Sequence, residues 1–208
     1  MDKEKKIRTV IFDIGNVLIR FKSLDFVRER YGDEMGLKIA NAMYGGERWS
    51  ELDRAVMTEE EILKSFKNAD PSIPPEYIEW CFENISRAVL RCGYAIPWLR
   101  ELRRLGLKVM YLSNYSKHVM HARPEVLDFL PLMDGGIFSC DVKLIKPDRA
   151  IFSLFLNRFS LDPGECLFID DRQDNCDAAS SFGMKSYCFS SYEEDREAIM
   201  RLIREGGR

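Results

Sequence analysis

The chain has 208 residues, a formal net charge of -3 at pH 7 and 46% hydrophobic residues. This length allows one full hydrophobic core and a smaller appended unit. The sequence has no long run of basic residues, which argues against nucleic acid as a partner. Its apolar runs fall well short of the ~18 residues of a membrane-spanning helix, which argues against a membrane as a partner.

The cysteine content and the amino terminus indicate the compartment. Residues 2–6 are all charged and lead into a strand, not into the apolar core of a signal peptide. The six cysteines form no Cys-x-x-Cys pair and there are only two histidines, so we do not expect a zinc site. Most cysteines are expected to be buried apolar residues in a reducing compartment. The sequence therefore predicts a cytoplasmic protein, and it carries no signal for an oligomeric state.

An apolar strand rich in β-branched residues is predicted over residues 7–12. Asp13 follows it, and burying an unpaired carboxylate inside a strand costs several kcal/mol. We therefore place Asp13 at the carboxyl end of the strand, before a turn formed by Gly15 and Asn16. Ligands bind at this end of the strands in open α/β sheets. A solvated carboxylate ahead of a turn explains Asp13 equally well at this point.

Residues 20–92 form a charged block in which helices are predicted over residues 23–30, 33–43, 58–68 and 75–91. Thr58, three residues before Glu61, has the spacing of a capping box, which is worth ~1 kcal/mol of helix stability. No strand is predicted in the block. We expect it to be a helical insertion between the first strand and the rest of the chain.

From residue 93 onward the pattern alternates between helices and short apolar strands. Strands are predicted over residues 107–112, 136–139, 166–169 and 186–189, and helices over residues 95–105, part of 115–130, 148–159, 175–182 and 193–204. This alternation is typical of a parallel sheet covered by helices on both faces. We therefore predict an α/β core domain from residues 1–20 and 93–208, with an all-helical domain over residues 21–92.

Polar residues follow three of the predicted strands: Asp13, then Ser113 and Asn114, then Asp170 and Asp171. The carboxyl ends of parallel strands lie at one edge of a sheet, so these side chains should converge there. Mg²⁺ binds through one or two carboxylates together with substrate phosphate, and Lys146, just before a helix, can add a point charge. A turn, a helix cap or a solvated side chain explains each residue alone. Their joint occurrence in this order indicates a magnesium and phosphate site.

Four segments resemble the four motifs of the haloacid dehalogenase-like superfamily: residues 12–18, 112–114, 146–147 and 168–171. The resemblance covers essentially the whole chain and implies a Rossmann-like fold, with residues 21–92 as the family's cap. Within this superfamily, the chain resembles bacterial sugar phosphatases of the alpha-D-glucose-1-phosphate phosphatase type. Those proteins share an Asp-x-Gly-Asn-Val opening and the Phe-x-Asp-Asp-x-x-Asp-Asn pattern of residues 168–175. A Gly-Glu…Glu-Arg-Gly segment of their cap resembles residues 46–55.

The resemblance implies a Mg²⁺-dependent phosphatase that acts on a small phosphorylated metabolite, with sugar 1-phosphates as candidates. Asp13 would be the nucleophile and would form an aspartyl-phosphate. Ser113 and the Asn114 amide would hold phosphoryl oxygens, and Lys146 would neutralise charge on the nucleophile and on the transferring group. These residues would orient the phosphoryl group and stabilise its charge, which is what phosphoryl transfer mainly needs.

The same resemblance implies the metal ligands. Asp171 would bind Mg²⁺, with Asp170 as a second candidate. The Asp13 carboxylate and the backbone carbonyl of Gly15 would complete the set of protein ligands. All four groups offer oxygen atoms, which this ion prefers.

Gly15 departs from the family pattern. Most phosphatases of this family carry a second Asp two residues after the nucleophile, and that Asp acts as general acid and base. Such catalysis is typically worth ~10²–10⁴-fold in rate. We therefore expect a preference for leaving groups that need little protonation, such as an anomeric hydroxyl or an acyl group. Slow or absent turnover is the alternative.

The cap should set substrate choice, and Arg48, Trp49 and Glu51 are the residues expected to face the crevice. Trp49 would stack on a sugar face, and Arg48 or Glu51 would bond hydroxyl groups. The competing interpretation is that Trp49 packs in the core of the cap and that the charged side chains are solvated, which is the commoner outcome for such residue types.

Two other functions remain open. A hydrolytic dehalogenase of the same fold would use the Asp nucleophile on carbon without a metal, but the acidic pair beside Lys146 argues against it. A binding module with an inactive phosphatase fold is supported by Gly15. The intact Asp13, Ser113, Lys146 and Asp171 argue against that module.

Overall fold

The computed structural model describes residues 5–45 and 47–205. The strands are β1 (Thr9–Phe12), β2 (Ile19–Phe21), β3 (Val89–Arg91), β4 (Lys108–Ser113), β5 (Gly136–Phe138), β6 (Cys166–Asp170) and β7 (Lys185–Cys188). Five of them form a parallel sheet in the order β5-β4-β1-β6-β7. Ile11 on β1 pairs with Met110 on one side and Phe168 on the other. The predicted parallel sheet is confirmed, and β1 is its central strand.

The helices are α1 (Ser23–Tyr44), α2 (Arg48–Arg54), α3 (Glu59–Ala69), α4 (Pro75–Asn84), α5 (Ala95–Arg104), α6 (Lys117–Ala122), α7 (Ser139–Val142), α8 (Arg149–Phe159), α9 (Gln173–Ser180) and α10 (Tyr192–Glu205). Successive β1 side chains point to opposite faces of the sheet. Phe12 packs in one cluster with Trp98 of α5 and Met200 of α10. Ile11 packs in a second cluster with Phe152 of α8. Both faces of the sheet are therefore covered by helices, as the continuous burial of β1 requires.

The four helices between β2 and β3, which we call the insert, surround a hydrophobic cluster of their own that includes Val27, Phe66 and Phe82. β2 and β3 pair antiparallel at the two ends of the insert. The prediction of no strand in residues 20–92 is therefore wrong at both ends of that block. Each strand has only three residues, which is too few to show an alternating pattern in the sequence. The two strands form because they pair with each other.

The helix boundaries within the insert differ from the sequence pattern in two places. The first two predicted helices are one element, α1, which is broken at Gly32, where the backbone has φ 76° and ψ 175°. The last predicted helix ends at Asn84 and is followed by a 3₁₀ turn, Ile85–Ala88, and by β3. The chain leaves the helix early because residues 89–91 pair with β2.

The predicted capping box is present at the start of α3. Glu61 N–H donates to Thr58 Oγ1 at 3.2 Å, and Thr58 N–H donates to the Glu61 carboxylate at 2.8 Å. All six cysteines are free thiols, of which five are buried and Cys188 is exposed. Within residues 5–45 and 47–205, no helix combines the length and the apolar character needed to cross a membrane.

Candidate active site

Three neighbouring strands deliver acidic or hydroxyl groups to the carboxyl edge of the sheet. Asp13 follows β1, Ser113 is the last residue of β4, and Asp170 is the last residue of β6, with Asp171 after it. One carboxylate oxygen from each of Asp13, Asp170 and Asp171 lies within 4.8 Å of the others. We call these three residues the acidic cluster. The predicted convergence of strand ends is therefore present.

Lys146 neutralises part of this acidic cluster. Its Nζ lies 3.0 Å from Asp13 Oδ1 and 2.6 Å from Asp170 Oδ2, and the side chain is fully buried. The backbone of Lys146 is fixed by Asn114, whose Oδ1 accepts from Lys146 N–H at 2.8 Å. The Asn114 side-chain amide in turn donates to the Lys146 carbonyl at 2.9 Å. The loop before α8 is thereby held against the end of β4.

Asp170 has both carboxylate oxygens occupied by protein donors. Oδ2 bonds Lys146, and Oδ1 accepts from Arg172 N–H and from Asn175 Nδ2, each at 2.9 Å. Asp171 is less enclosed, and its Oδ2 accepts from Asn16 Nδ2 at 3.0 Å. The arrangement makes Asp170 an anchor for Lys146 and leaves Asp171 the more available carboxylate.

The charges of the site perturb one another. Burial raises the pKa of Asp13 to about 7, with Asp170 and Asp171 adding to the rise and Lys146 opposing it. Burial alone would lower the pKa of Lys146, but the carboxylates of Asp13 and Asp170 outweigh it and raise that pKa. Burial also raises the pKa of Asp171. Three carboxylates facing one ammonium group leave an excess of negative charge, which favours a bound cation.

The donor chemistry of the acidic cluster fits a magnesium ion. All of its donor atoms are carboxylate oxygens, and the cluster contains neither sulfur nor imidazole. Hard divalent cations prefer such ligands. The Ser113 hydroxyl beside the cluster is fully buried and has no hydrogen-bond partner among the described residues. It is therefore available to an oxygen atom of a bound ligand.

Gly15 borders open space. A Cβ atom built on it would lie 3.9 Å from Asp13 Oδ2 with no closer neighbour, and its backbone is not left-handed. The space belongs to a cavity of about 90 Å³ between the sheet edge and the insert. Its lining residues are Gly15, Asn16, Ile19, Phe21, Trp49, Asp53, Val89, Asn114, Tyr115, Ser116 and Val119. There is therefore open space where the side chain of a second Asp would lie, and the backbone at Gly15 would accept a side chain.

Of the three cap residues that the sequence singles out, one lies at this cavity. Trp49 lines it and packs against Phe21, with ring centroids 5.4 Å apart. Arg48 and Glu51 are not among its described lining residues: Arg48 Nε donates to the Ala42 carbonyl at 2.9 Å, and Glu51 lies 3.4 Å from Arg54. The orientation of α2 determines which of its residues reach the cavity. Gly46, in the segment that resembles the family's cap, lies outside the described residues.

Sequence reasoning missed Asp53, an insert residue that lines the same cavity. Its side chain is buried, and its carboxylate makes no hydrogen bond or ion pair with any described residue. Burial raises the pKa of Asp53 to about 8, with Asp13 adding to the rise and Lys146 opposing it. The sequence feature that could have pointed to Asp53 is its position within residues 46–55, the segment that resembles the family's cap.

Comparison with known proteins gives a family match over most of the chain. The family model of haloacid dehalogenase-like hydrolases matches residues 7–183. The chain is 26% identical over 205 residues to the drimenol cyclase drtB of Aspergillus calidoustus, covering 95% of this chain but 37% of that protein. It is 23% identical over 177 residues to the sesquiterpene phosphatase astK of Aspergillus oryzae, covering 85% of this chain and 87% of that protein.

A solved structure shares the fold. It is the HAD family enzyme bt-2542 from Bacteroides thetaiotaomicron in complex with magnesium and inorganic phosphate, which superposes with a TM-score of 0.67 at 19% sequence identity. The match covers 92% of this chain and 98% of that chain. The two chains therefore have the same architecture over nearly their whole length.

Proposed function

Since the chain belongs to the haloacid dehalogenase-like hydrolases, we propose that it is a Mg²⁺-dependent phosphatase of a small phosphorylated metabolite. The observation that carries the proposal is the acidic cluster bridged by Lys146, next to an unpartnered Ser113 hydroxyl. The phosphatase named among its relatives, and the neighbour solved with magnesium and phosphate, support the same reaction. In this proposal residues 1–20 and 93–208 are the core domain and residues 21–92 are the cap.

Asp13 is the proposed nucleophile. Its Oδ1 accepts from the N–H of Ile14 at 2.7 Å and pairs with Lys146, so the orientation of the carboxylate is fixed before substrate binds. Attack by Asp13 on phosphorus would form an aspartyl-phosphate, which water then hydrolyses. Lys146 would offset the negative charge gathered on the nucleophile and on the phosphoryl oxygens.

Ser113 and the backbone N–H of Asn114 are the proposed donors to phosphoryl oxygens. The Asn114 side chain is already bonded to Lys146 on both of its polar atoms, so its backbone is the part left for the substrate. The hydroxyl of Ser113 lies at the strand end beside Asp13, where a phosphoryl group would be attacked.

We propose that Asp13, Asp171 and the carbonyl of Gly15 would hold the magnesium ion. Asp170 is not included, because Lys146, Arg172 and Asn175 use both of its oxygens. When bound, the ion would neutralise charge on the transferring phosphoryl group.

The substrate proposal is a small phosphate ester, with sugar 1-phosphates as the first compounds to test. Trp49 lines the cavity where a leaving group would lie and is the proposed contact with it. The cavity has a volume of about 90 Å³, which favours a small leaving group. Arg48 and Glu51 would have to leave their present partners to contact substrate. We place the reaction in the cytoplasm, where the free thiols would stay reduced.

The experiment is a screen of phosphorylated metabolites and 2-haloacids, run with Mg²⁺ and with EDTA. We expect phosphate release that requires Mg²⁺ and that is lost in Asp13→Asn. Halide release that persists in EDTA would replace the phosphatase proposal with the dehalogenase alternative. Binding of phosphate esters without release of phosphate by the wild type would indicate an inactive phosphatase fold.

A further inference from the structure

The open space at Gly15 poses a chemical question about the proposed phosphatase. A leaving alkoxide needs a proton, and the residue two positions after Asp13 has no side chain to give one. The cavity beside Gly15 is closed on the opposite side by the insert, where Trp49 and Asp53 line it. Trp49 offers no carboxyl group. Asp53 is the carboxyl group in this cavity that the reaction described so far leaves unused.

Asp53 is held in place by a contact between the insert and the core domain. The Ser139 hydroxyl, fully buried on α7, donates to the Asp53 carbonyl at 2.7 Å. The same hydroxyl accepts from the Tyr115 N–H at 2.9 Å, two residues after Ser113. One hydroxyl thus ties the backbone of the insert to the strand end that carries the proposed phosphate donors. An ion pair between Arg54 and Asp148, at 3.6 Å, adds a second tie beside it.

The Asp53 carboxyl group has the environment of a proton donor. It is buried and makes no hydrogen bond or ion pair with a described residue. The Asp13 carboxylate, in contrast, is paired with the Lys146 ammonium group. A buried carboxyl group without a cation next to it retains its proton more strongly than a paired one. The titratable groups that face it are Asp13 after β1, Lys146 before α8, Tyr115 after β4 and Cys140 on α7.

We propose that Asp53 of the insert is the general acid and base of the phosphatase reaction, in place of the carboxyl group that Gly15 lacks. This role rests on the proposed phosphatase function. In the first step Asp13 attacks phosphorus, the bond from phosphorus to the leaving oxygen breaks, and Asp53 gives its proton to that oxygen. In the second step the Asp53 carboxylate takes a proton from water as the water oxygen attacks phosphorus. The bond to Asp13 then breaks, which releases phosphate and leaves Asp53 protonated again.

A general acid at Asp53 changes the substrate preference that is expected of the enzyme. A site without a general acid should favour good leaving groups, as Gly15 alone suggests. With Asp53 in the cavity, the wild type should also cleave alkyl phosphates, and the dependence on the leaving group should emerge only when Asp53 is replaced.

The experiment compares 4-nitrophenyl phosphate with glycerol phosphate in the wild type and in Asp53→Asn. Nitrophenolate is a weak base and leaves without taking up a proton. A glycerol alkoxide is a strong base and needs a proton in order to leave. We expect Asp53→Asn to lose ~10²–10⁴-fold in kcat/KM on glycerol phosphate and less than about tenfold in the first nitrophenolate release. Because the second step also loses its base, a burst of one nitrophenolate per active site should precede slow turnover. Glu60→Gln, which removes an exposed carboxylate from α3, is the matched control.

Recovery of the activity lost in Asp53→Asn by a new carboxyl group at position 15 is a specific test of the role of Asp53. Space is available at Gly15, so Gly15→Asp added to Asp53→Asn should recover at least tenfold of the lost activity on glycerol phosphate. Gly15→Ala should recover none of it. An equal loss of Asp53→Asn on both esters, or no loss on either, would overturn the role of Asp53 while the phosphatase function stands. Failure of the wild type on every ester with Mg²⁺ would overturn the phosphatase function itself and the role of Asp53 with it.

Discussion

Lys146 and Asp170 form an ion pair of 2.6 Å in which both side chains are fully buried. Such pairs contribute little net stability, because the desolvation of two charges offsets their attraction, but removal of one partner leaves an uncompensated charge. Asp170 has no other cationic partner at hydrogen-bond distance among the described residues. The pair is therefore a sensitive point for both stability and activity.

Lys146→Met should destabilise the protein by ~3–5 kcal/mol near pH 8, because Asp13 and Asp170 would be buried without a cation. The loss should be smaller at pH 5, where a raised carboxyl pKa lets Asp13 take up a proton and lose its charge. Urea unfolding in EDTA at both pH values measures the difference. Lys117→Met, which removes an exposed lysine from α6, is the control. A destabilisation that is equal at the two pH values would contradict this account.

Asp171→Asn should weaken Mg²⁺ binding at least tenfold, because a neutral amide replaces an anionic ligand. Phosphatase activity should fall with it and should recover in part at high Mg²⁺. Titration calorimetry of the variant and of Asp177→Asn, an exposed position on α9, separates loss of a ligand from loss of net charge. Unchanged Mg²⁺ affinity in Asp171→Asn would remove this residue from the metal site.

The core of the site could be predicted from the sequence because each residue lies next to a strand end. Asp13, Ser113 and Asp171 follow apolar runs, and a parallel sheet brings such ends to one edge whatever the detailed packing. Asp53 and Arg48 lie on a short helix of the insert, and their orientation depends on how α2 packs against α7. That packing includes the hydrogen bond from Ser139, which lies 86 residues from Asp53 in the chain, and no local pattern reveals it.

Asp195 supports a pH-dependent prediction away from the site. Its carboxylate accepts from the N–H groups of Ser190 and Ser191 and from the Tyr187 hydroxyl near the start of α10. Burial would raise the pKa of Asp195, but these hydrogen bonds outweigh it and lower that pKa. A carboxyl group whose pKa is lower in the folded state stabilises the fold above its unfolded pKa of ~3.9, and this stabilisation is lost as the pH falls through the folded pKa.

Asp195→Asn should therefore lower the free energy of unfolding at pH 7 by ~1.5–3 kcal/mol, the range for hydrogen bonds to a charged group. The difference from wild type should shrink as the pH falls below ~4. Thermal unfolding from pH 7 down to pH 3 measures it, with Glu193→Gln, an exposed position two residues away, as the control. A difference that stays constant over this range would show that the charge of Asp195 does not matter.

Ser139→Ala tests whether the tie between insert and core positions Asp53. The change leaves the Tyr115 N–H and the Asp53 carbonyl without their shared partner, which should cost ~1–3 kcal/mol of stability. A displacement of about 1 Å can cost ~10²-fold in rate. We therefore expect a loss of up to that size in kcat/KM on glycerol phosphate, with a much smaller loss in the first release of nitrophenolate.

The split between the two esters is the decisive readout for Ser139, because a merely destabilised protein would lose activity on both alike. Ser180→Ala on α9, whose hydroxyl bonds the Ser186 hydroxyl and no other group of the described residues, should change neither rate. Adding Ser139→Ala to Asp53→Asn should cost no further activity on glycerol phosphate, since two residues that act through one proton transfer are not additive. A further loss in the double variant would mean that Ser139 acts on the site by a route other than Asp53. In that case Ser139 would position Tyr115 and, through it, the nearby Ser113.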